Sequence, residues 1–431
     1  MFSIVYFISL IVCQTILETE TSFIDKLYGE LVYDNYIQGN LPRGFSKNND
    51  NPLIKSTNDQ IYPDLYYETI FNTYLNYRKR VNYPDKDDTS DISIDQNMFG
   101  GILTYAHLNH FNCFNPTLYS NNIDIAIVGA PFDTGVSYRP GARFGPNSIR
   151  DSAKRLGSSW KSNKKKKNGY IIDPYDESTH NFTIIDCGDI AMIPFDNRIA
   201  LNQLYRGQRS IFKHKSLQFK NQLPKFITMG GDHTISLMNL KNLNEQFQKK
   251  IRIFHFDSHI DTWDPKKLGG GITNYMSLNH GTFLHYAHEL GYIEDENNYH
   301  IGIRAPYIDS KYDKLHDSEC GFHIIKANDI DKVGIKGIIQ DLKNVTTKED
   351  LVYISVDIDV LDPAYAPGTG TMETGGFTTR ELISILDGLK GSINLIGADV
   401  VEVSPPFDSN SGITSLAATA VIDSFLKIMM D

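Results

Sequence analysis

Short runs of apolar, mostly β-branched residues recur along the chain and alternate with stretches in which apolar positions return every three to four residues. The first pattern is typical of buried strands and the second of amphipathic helices. The helical pattern is clear at 146–156 and 379–389. The strand-like runs lie near residues 123–129, 183–187, 225–229, 251–256, 299–303, 322–326, 351–356 and 393–401. This alternation predicts an α/β fold, a three-layer α/β/α sandwich with an eight-stranded, mainly parallel sheet.

The N-terminal part of the chain follows a different pattern. Residues 2–17 are mostly apolar and Glu18 and Glu20 end the run, which predicts a signal peptide over 1–17 and a secreted protein. A buried core helix and a membrane anchor are the alternatives, although the run is shorter than a full membrane span. Residues 18–95 are rich in Asn, Asp, Tyr and Lys and contain no metal or phosphate motif. We therefore expect an N-terminal extension over 18–95 and a main domain over 96–431.

Composition and charge narrow the choice of partners. Hydrophobic residues make up 41% of the 431 residues, which is ample for a core. A formal net charge of -10 disfavours a nucleic-acid partner, because phosphate binding relies on concentrated Lys and Arg. We also expect no stable membrane association. Once the signal is removed, Cys113, Cys187 and Cys320 remain, and three cysteines cannot all pair within one chain. Asn181 and Asn344 begin glycosylation sequons, which matter only in the secretory pathway.

Three polar segments at predicted strand ends carry the candidate chemistry. They are Gly-Gly-Asp-His-Thr at 230–234, His-Phe-Asp-Ser-His-Ile-Asp at 255–261 and Ser-Val-Asp-Ile-Asp-Val-Leu-Asp-Pro at 355–363. Side chains of an extended segment alternate between its two faces, so Asp257, His259 and Asp261 project to one side. Asp357 and Asp359 do the same in the third segment. Together the segments predict a site for two divalent metal ions at the carboxyl ends of strands.

The donor types indicate which metal is expected. Carboxylates with a minority of imidazoles and no thiolate favour manganese, magnesium or a related ion over structural zinc. Two such ions lie close together only when carboxylates bridge them, and Asp257 and Asp357, the first Asp of each pair, are the natural bridges. Asp232 and His233 alone would indicate only an N-capped turn, so the prediction depends on all three segments. Paired ions of this kind can activate water at neutral pH.

The order of the three segments resembles that of the ureohydrolases, the dimanganese enzymes that include arginase and agmatinase. Further stretches resemble the agmatinase branch in particular. They are Gly-Ala-Pro-Phe-Asp-Thr-Gly at 129–135, Arg-Pro-Gly-Ala-Arg-Phe-Gly-Pro at 139–146 and Pro-Gly-Thr-Gly-Thr at 367–371. The resemblance covers the larger, C-terminal part of the chain. It implies an arginase-like fold with 96–431 as the catalytic domain, a small-molecule guanidino substrate and a homo-oligomer.

The resemblance also implies roles for individual residues and two Mn²⁺ ions per subunit. One ion would be bound by His233, Asp257, Asp261 and Asp357. The other would be bound by Asp257, His259, Asp357 and Asp359. Glu402 corresponds to the acid that meets the substrate guanidinium, and His280 resembles the histidine assigned to proton transfer in agmatinases. The glycines at 269–271 are expected to shape a mobile loop at the mouth of the site.

The implied activity is manganese-dependent hydrolysis of a linear guanidino compound, with agmatine as the first choice and putrescine and urea as products. Arginases carry a Ser-Gly-Asn-x-His-Gly loop after the second segment, and the sequence lacks it, so arginine is disfavoured. The alternative is a guanidinobutyrase, which acts on 4-guanidinobutanoate. That compound carries an anionic tail where agmatine carries a cationic one. The alternative from another functional class is a non-catalytic homologue that only binds guanidines.

Overall fold

The computed structural model describes residue 87 and residues 103–156, 173–176, 179–268 and 276–431. The chain divides into two units, Met1–Asp85 and Lys86–Asp431, and the described residues all belong to the second. The predicted signal peptide at 1–17, the extension at 18–95 apart from residue 87, and the glycines at 269–271 lie outside the described residues. The predicted domain boundaries therefore stay predictions.

Nine strands of the described chain form one sheet, and all their pairings are parallel. They are β1 Asn109–His110, β2 Ile125–Gly129, β3 Ile184–Asp189, β4 Lys225–Met229, β5 Arg252–Phe256, β6 Asn298–Ile303, β7 Phe322–Lys326, β8 Leu351–Asp357 and β9 Asn394–Val401. Their order across the sheet is β1-β3-β2-β4-β9-β8-β5-β6-β7. The eight predicted strands are all present, which confirms the parallel α/β fold. The additional strand, β1, has two residues at the edge, too few to produce a periodic pattern.

The α-helices of the described chain connect and cover these strands. They are α1 Gly145–Ser152, α2 Asn197–Ile211, α3 Ser236–Phe247, α4 Phe283–Glu289, α5 Ser310–Glu319, α6 Ile330–Asn344, α7 Thr379–Gly388 and α8 Ile413–Met429. Packing contacts join α1, α6, α7 and α8 into one layer and α2, α3 and α4 into another, which gives the predicted three-layer sandwich. Within the described residues, no helix has both the length and the apolar character needed to cross a membrane.

Local sequence explains where several helices begin. Asp196 precedes α2 and Asp309 precedes α5, and each side chain accepts hydrogen bonds from two N–H groups of the first turn. Thr378 and Glu381 form a reciprocal capping box at the start of α7. These polar caps satisfy backbone donors that the first turn of a helix leaves without partners.

The four central strands determine where a site can form. β4, β9, β8 and β5 are consecutive in the sheet, and because they are parallel their carboxyl ends lie at the same edge. Ile227, Phe254, Val356 and Val400 on these four strands are completely buried in the core. The segments that follow these strands are therefore held side by side on a rigid support.

Cys113 and Cys187 form a disulfide, with Cα atoms 5.3 Å apart and 74 residues between them in sequence. Cys320 is buried and free. The sequence predicted that the three could not all pair, but it did not indicate which two would. The pairing of β1 with β3 places the loop after His110 beside the strand that contains Cys187.

We predict that replacing both Cys113 and Cys187 with Ala lowers stability by about 4 kcal/mol, the loop-closure value for a separation of 74 residues. Thermal unfolding should shift downwards by roughly 5 °C or more. Cys320→Ala, compared with the parent in metal-free protein, is the matched control because Cys320 has no disulfide partner. Equal unfolding temperatures for the double variant and the parent, or alkylation of Cys113 in the unreduced protein, would show that this bond does not form.

Candidate metal centre

The structure brings all eight predicted site residues together at the carboxyl edge of the central strands. His233 follows β4, the 257–261 segment follows β5, Asp357 ends β8 and Glu402 follows β9. His280 comes from the segment that precedes α4. Since β9 lies between β4 and β8, Glu402 is placed beside His233, a neighbour relation that chain order does not indicate.

The first predicted ligand set surrounds one imidazole nitrogen. His233 Nδ1 lies 3.1 Å from Asp257 Oδ2, 3.1 Å from Asp261 Oδ2 and 3.4 Å from Asp357 Oδ2. The His233 side chain is fully buried, and the three carboxylates are buried or nearly so. Three carboxylate oxygens thus lie within 3.4 Å of one imidazole nitrogen. His233, Asp257 and Asp261 belong to one cluster of possible metal ligands, which does not include Asp357.

The second predicted set is arranged around His259. Its Nδ1 lies 3.2 Å from Asp257 Oδ1 and 3.1 Å from Asp359 Oδ2. The structure does not place Asp357 in this cluster; its Oδ1 instead accepts a hydrogen bond of 2.8 Å from the backbone N–H of Asp359. Asp257 uses one oxygen towards each group, which is the arrangement expected of a bridging ligand.

Three buried polar atoms in the described part of the centre have no hydrogen-bond partner. They are His233 Nδ1, His255 Nε2 and Asp257 Oδ2, and both nitrogens lie 3.1 Å from the same Asp257 oxygen. Burying polar atoms without partners costs free energy. A divalent cation would satisfy all three, so the donor set fits a metal ion.

Buried hydrogen bonds hold the predicted ligands in position. His233 Nε2 lies 2.7 Å from Ser355 Oγ, whose hydroxyl donates to Asp399 Oδ1 at 2.6 Å. Ser355 has one hydrogen and gives it to Asp399, so His233 Nε2 carries the proton and donates to Ser355. This tautomer leaves the Nδ1 lone pair facing the carboxylates, which is the form that binds a metal.

Asp359 is held by residues of two other motifs. Its Oδ1 accepts hydrogen bonds from Ser258 N at 3.1 Å and Ser258 Oγ at 2.7 Å. Thr371, from the Pro-Gly-Thr-Gly-Thr stretch, donates to Oδ2 at 3.3 Å. The stretch that resembled agmatinases therefore contributes directly to the support of a ligand.

Two residues at this edge have a strained backbone. Asp261 and Glu402 have φ values of 51° and 60°, in the left-handed region that non-glycine residues rarely occupy. A Cβ on Gly231 would lie 1.8 Å from the carbonyl oxygen of Phe132, so only glycine fits there. Asp232, the next residue, caps the following turn by accepting from Thr234 N at 2.9 Å, as the N-cap interpretation predicted.

Glu402 and His280 form a pair at the edge of the centre. Glu402 Oε1 accepts from the backbone N–H of His233 at 3.0 Å and lies 3.1 Å from His280 Nδ1. His280 Nε2 lies 2.8 Å from Ser137 Oγ, and Ser137 is exposed. His280 thus contacts a buried carboxylate on one side and a solvent-accessible hydroxyl on the other.

Crowding of buried charges shifts several pKa values. Burial, reinforced by the charge of Asp257, raises the pKa of Asp261 to about 6. Burial and the charges of Asp359 and Asp257 raise the pKa of Asp357 well above its usual range. Burial alone would lower the pKa of His233, yet the carboxylates of Asp257, Asp261 and Asp357 around its Nδ1 raise it well above the ordinary value. A cation that binds here displaces these protons.

His255 is the site residue that sequence reasoning missed. Its Nε2 lies 3.1 Å from Asp257 Oδ2 and 3.9 Å from Asp261 Oδ2, and with His233 these residues form one cluster of possible ligands. Its Nδ1 contacts His300 Nδ1 at 2.8 Å. The same alternation that placed Asp257, His259 and Asp261 on one side also includes His255, and that signal could have identified it.

Comparisons with known proteins identify relatives of this chain. A family model described as the arginase family matches residues 123–427. A Schizosaccharomyces pombe protein that bears an agmatinase name is 39% identical over 382 residues, which cover 86% of this chain and 91% of that protein. Proclavaminate amidinohydrolase from Streptomyces clavuligerus is 34% identical over 301 residues, 69% of this chain and 85% of its own.

Solved structures give the same result for the fold. The structure of the Streptomyces clavuligerus proclavaminate amidinohydrolase has a TM-score of 0.62 and 31% identity, and covers 77% of this chain and 98% of its own. Formimidoylglutamase from Bacillus subtilis has a TM-score of 0.61 at 22% identity, with 84% of this chain and 98% of its own covered, and shares the fold.

We predict that Asp257→Asn weakens metal binding at both positions together, because one carboxylate serves both groups. The loss of affinity should exceed about 100-fold, more than the loss of a supporting contact produces. Metal content measured by elemental analysis after gel filtration checks this. Asp295→Asn, at an exposed carboxylate, is the control. Loss of one equivalent of metal with full retention of the other would contradict the shared role of Asp257.

Proposed function

This chain belongs to the arginase family and is an amidinohydrolase, and on that premise we propose that it hydrolyses agmatine to putrescine and urea with two Mn²⁺ ions. The observation that carries the proposal is the position of Asp257, which directs one oxygen towards the His233 group and the other towards the His259 group. Family membership and the complete set of ligand residues favour an enzyme over a non-catalytic guanidine-binding homologue.

The metal assignment follows from the donors. One ion would be held by His233, Asp257, Asp261 and Asp357, with His255 beside them. The second would be held by Asp257, His259, Asp357 and Asp359, the set that the resemblance implies. Carboxylate oxygens predominate, which favours manganese over zinc. When bound, such a pair of ions supplies Lewis-acid activation of water at neutral pH.

Glu402 and His280 would act on the substrate. A guanidinium is planar and cationic, and the buried Glu402 carboxylate can orient it through parallel hydrogen bonds. Burial opposes a charge on His280, but the hydrogen bond and charge of Glu402, with Asp261 and Asp232, raise the pKa of its imidazole. This shift favours the protonated imidazole, which would give its proton to the leaving amine, with Ser137 as its contact towards solvent.

A negative charge at the rim of the metal centre favours a substrate with a cationic tail. Glu373 Oε1 lies 4.0 Å from His259 Nε2, and its side chain is 35% exposed. A carboxylate in this position attracts an ammonium group and repels a carboxylate, which favours agmatine over 4-guanidinobutanoate.

A second candidate, 4-guanidinobutanoate, is favoured by Arg139. This residue lies two positions after Ser137, and its guanidinium is 4.8 Å from the Tyr138 ring centroid and 5.5 Å from that of Phe407. A cation in the segment that contacts His280 would suit an anionic tail. Glu373 lies against a predicted ligand, and we therefore rank agmatine first.

The test is urea release by the Mn²⁺-loaded protein from agmatine, 4-guanidinobutanoate and arginine, measured in parallel. We expect agmatine to give the highest kcat/KM. Glu373→Gln should lower kcat/KM for agmatine by about tenfold, the equivalent of 1.4 kcal/mol, and should raise kcat/KM for 4-guanidinobutanoate, because the repulsion of its anionic tail is removed. Arg139→Gln is the matched control and should spare agmatine; the opposite pattern would support the second candidate. Absence of urea from all three substrates, with two metal ions per chain confirmed, would refute the proposal.

We also propose that the protein enters the secretory pathway. The Cys113–Cys187 disulfide supports this, because such bonds persist in oxidising compartments. Asn181 and Asn344 of the two sequons are both exposed. N-terminal sequencing of protein from its native host should begin near residue 18, and glycosidase treatment should reduce its mass. An intact N-terminus with an unchanged mass would contradict the proposal.

Assembly into a homo-oligomer stays a prediction.

A further inference from the structure

A second group of metal-binding side chains lies between α4 and α5. His285 is on α4, His316 is on α5 and Cys320 directly follows α5. His285 Nδ1 lies 3.0 Å from His316 Nε2, which lies 3.9 Å from Cys320 Sγ. One donor atom from each residue lies within 4.8 Å of the other two. None of these residues belongs to the ligand sets described above.

Helix geometry explains why two of the donors face the same way. His316 and Cys320 are four residues apart, so they share one face of α5. The backbone hydrogen bond from Cys320 N to His316 O, at 2.9 Å, extends the helical turn through Cys320. Cys320 is buried, and His285 and His316 are half-buried. The group is therefore closed to solvent at Cys320 and accessible to solvent at His285 and His316.

We propose that His285, His316 and Cys320 bind a zinc ion, with water as the fourth ligand. In a tetrahedral zinc site, two imidazole nitrogens lie about 3.4 Å apart and a nitrogen and a sulfur about 3.6 Å apart. The observed distances of 3.0 and 3.9 Å lie on either side of these values. Thiolate and imidazole donors prefer zinc to manganese, so this site would not compete for the ion of the oxygen-rich centre.

The surroundings of His285 prepare it as a ligand. Glu289 Oε2 lies 3.4 Å from its Nε2, and a carboxylate on the far nitrogen is the usual partner of a zinc-bound histidine. Burial and the nearby His316 lower the pKa of His285, which keeps the imidazole neutral. Tyr312 stacks against His316, with ring planes 11° apart. Burial raises the pKa of the Cys320 thiol to about 12, so zinc would displace its proton on binding.

A simple hydrogen bond between the two imidazoles is the alternative explanation of the short distance. It accounts for His285 and His316, but it gives no role to the Cys320 sulfur or to Glu289. The two explanations differ in a measurable way, because only a metal site makes a bond to sulfur.

The position of the site links it to the catalytic centre. α5 also carries Asp313 and Asp317, which accept hydrogen bonds from Trp263 Nε1 at 3.2 Å and Thr262 Oγ1 at 2.5 Å. Thr262 and Trp263 directly follow the predicted ligand Asp261. A zinc ion that ties α4 to α5 would stiffen the support of this segment. The inference does not depend on the proposed substrate.

The test uses the full, untagged chain loaded with Mn²⁺ and titrated with Co²⁺ as a spectroscopic probe for zinc. We expect a thiolate-to-cobalt charge-transfer band that saturates at one equivalent and disappears when Zn²⁺ is added. Cobalt in the oxygen-rich centre cannot give this band, because that centre has no sulfur. Cys320→Ser should abolish it, and His316→Gln should weaken cobalt binding by at least about tenfold. His323→Gln removes an exposed imidazole outside the cluster and should change nothing.

Persistence of the band in Cys320→Ser, or its absence from the parent protein, would overturn the proposal. X-ray absorption of the zinc-loaded parent decides the matter without any variant, should Cys320→Ser fail to fold. One sulfur and two nitrogen neighbours would support the site, and a shell of oxygen and nitrogen alone would exclude it.

Discussion

The concentration of negative charge around Asp257 is the constraint on which the rest of the structure depends. Four carboxylates and the imidazoles of His233 and His255 are buried at one edge of the sheet, with the half-buried His259 beside them. Burial without compensation is costly for each. Protons, hydrogen bonds from Ser258 and Thr371 to Asp359, and the predicted cations are the means of compensation. Each of these means of compensation requires a fixed backbone around the site. The strained φ values of Asp261 and Glu402 are tolerated because the central strands allow no alternative path.

Much of the fold and of the site could be predicted from local pattern. The eight strand-like runs are long and strongly apolar, so their number and parallel direction followed from alternation with helices. Asp257, His259 and Asp261 could be grouped because alternation along an extended segment is a property of the backbone. Glu402 and His280 were assigned through resemblance, and their contact, 122 residues apart in sequence, follows only from the fold.

The rest could not be predicted because it depends on long-range placement. Nothing in the sequence near β9 indicates that it lies between β4 and β8, which is what brings Glu402 to the backbone N–H of His233. His255 was missed for a different reason, since alternation along its own segment did indicate it, but a histidine within an apolar strand is more often a core residue. The Cys113–Cys187 bond depends on the short β1 strand at the sheet edge, and the His285, His316 and Cys320 group depends on how two helices pack.

The strand order also affects how the protein must be made. β9 is the last strand in the sequence, yet it occupies the middle of the sheet between β4 and β8. While the chain is being synthesised, the strands on the two sides of this gap cannot join, and their inner edges stay open. The central charges cannot be assembled until the C-terminal segment has emerged and inserted. Sheets built from such distant segments fold slowly, so protection of the unfinished halves during synthesis becomes part of what this topology requires.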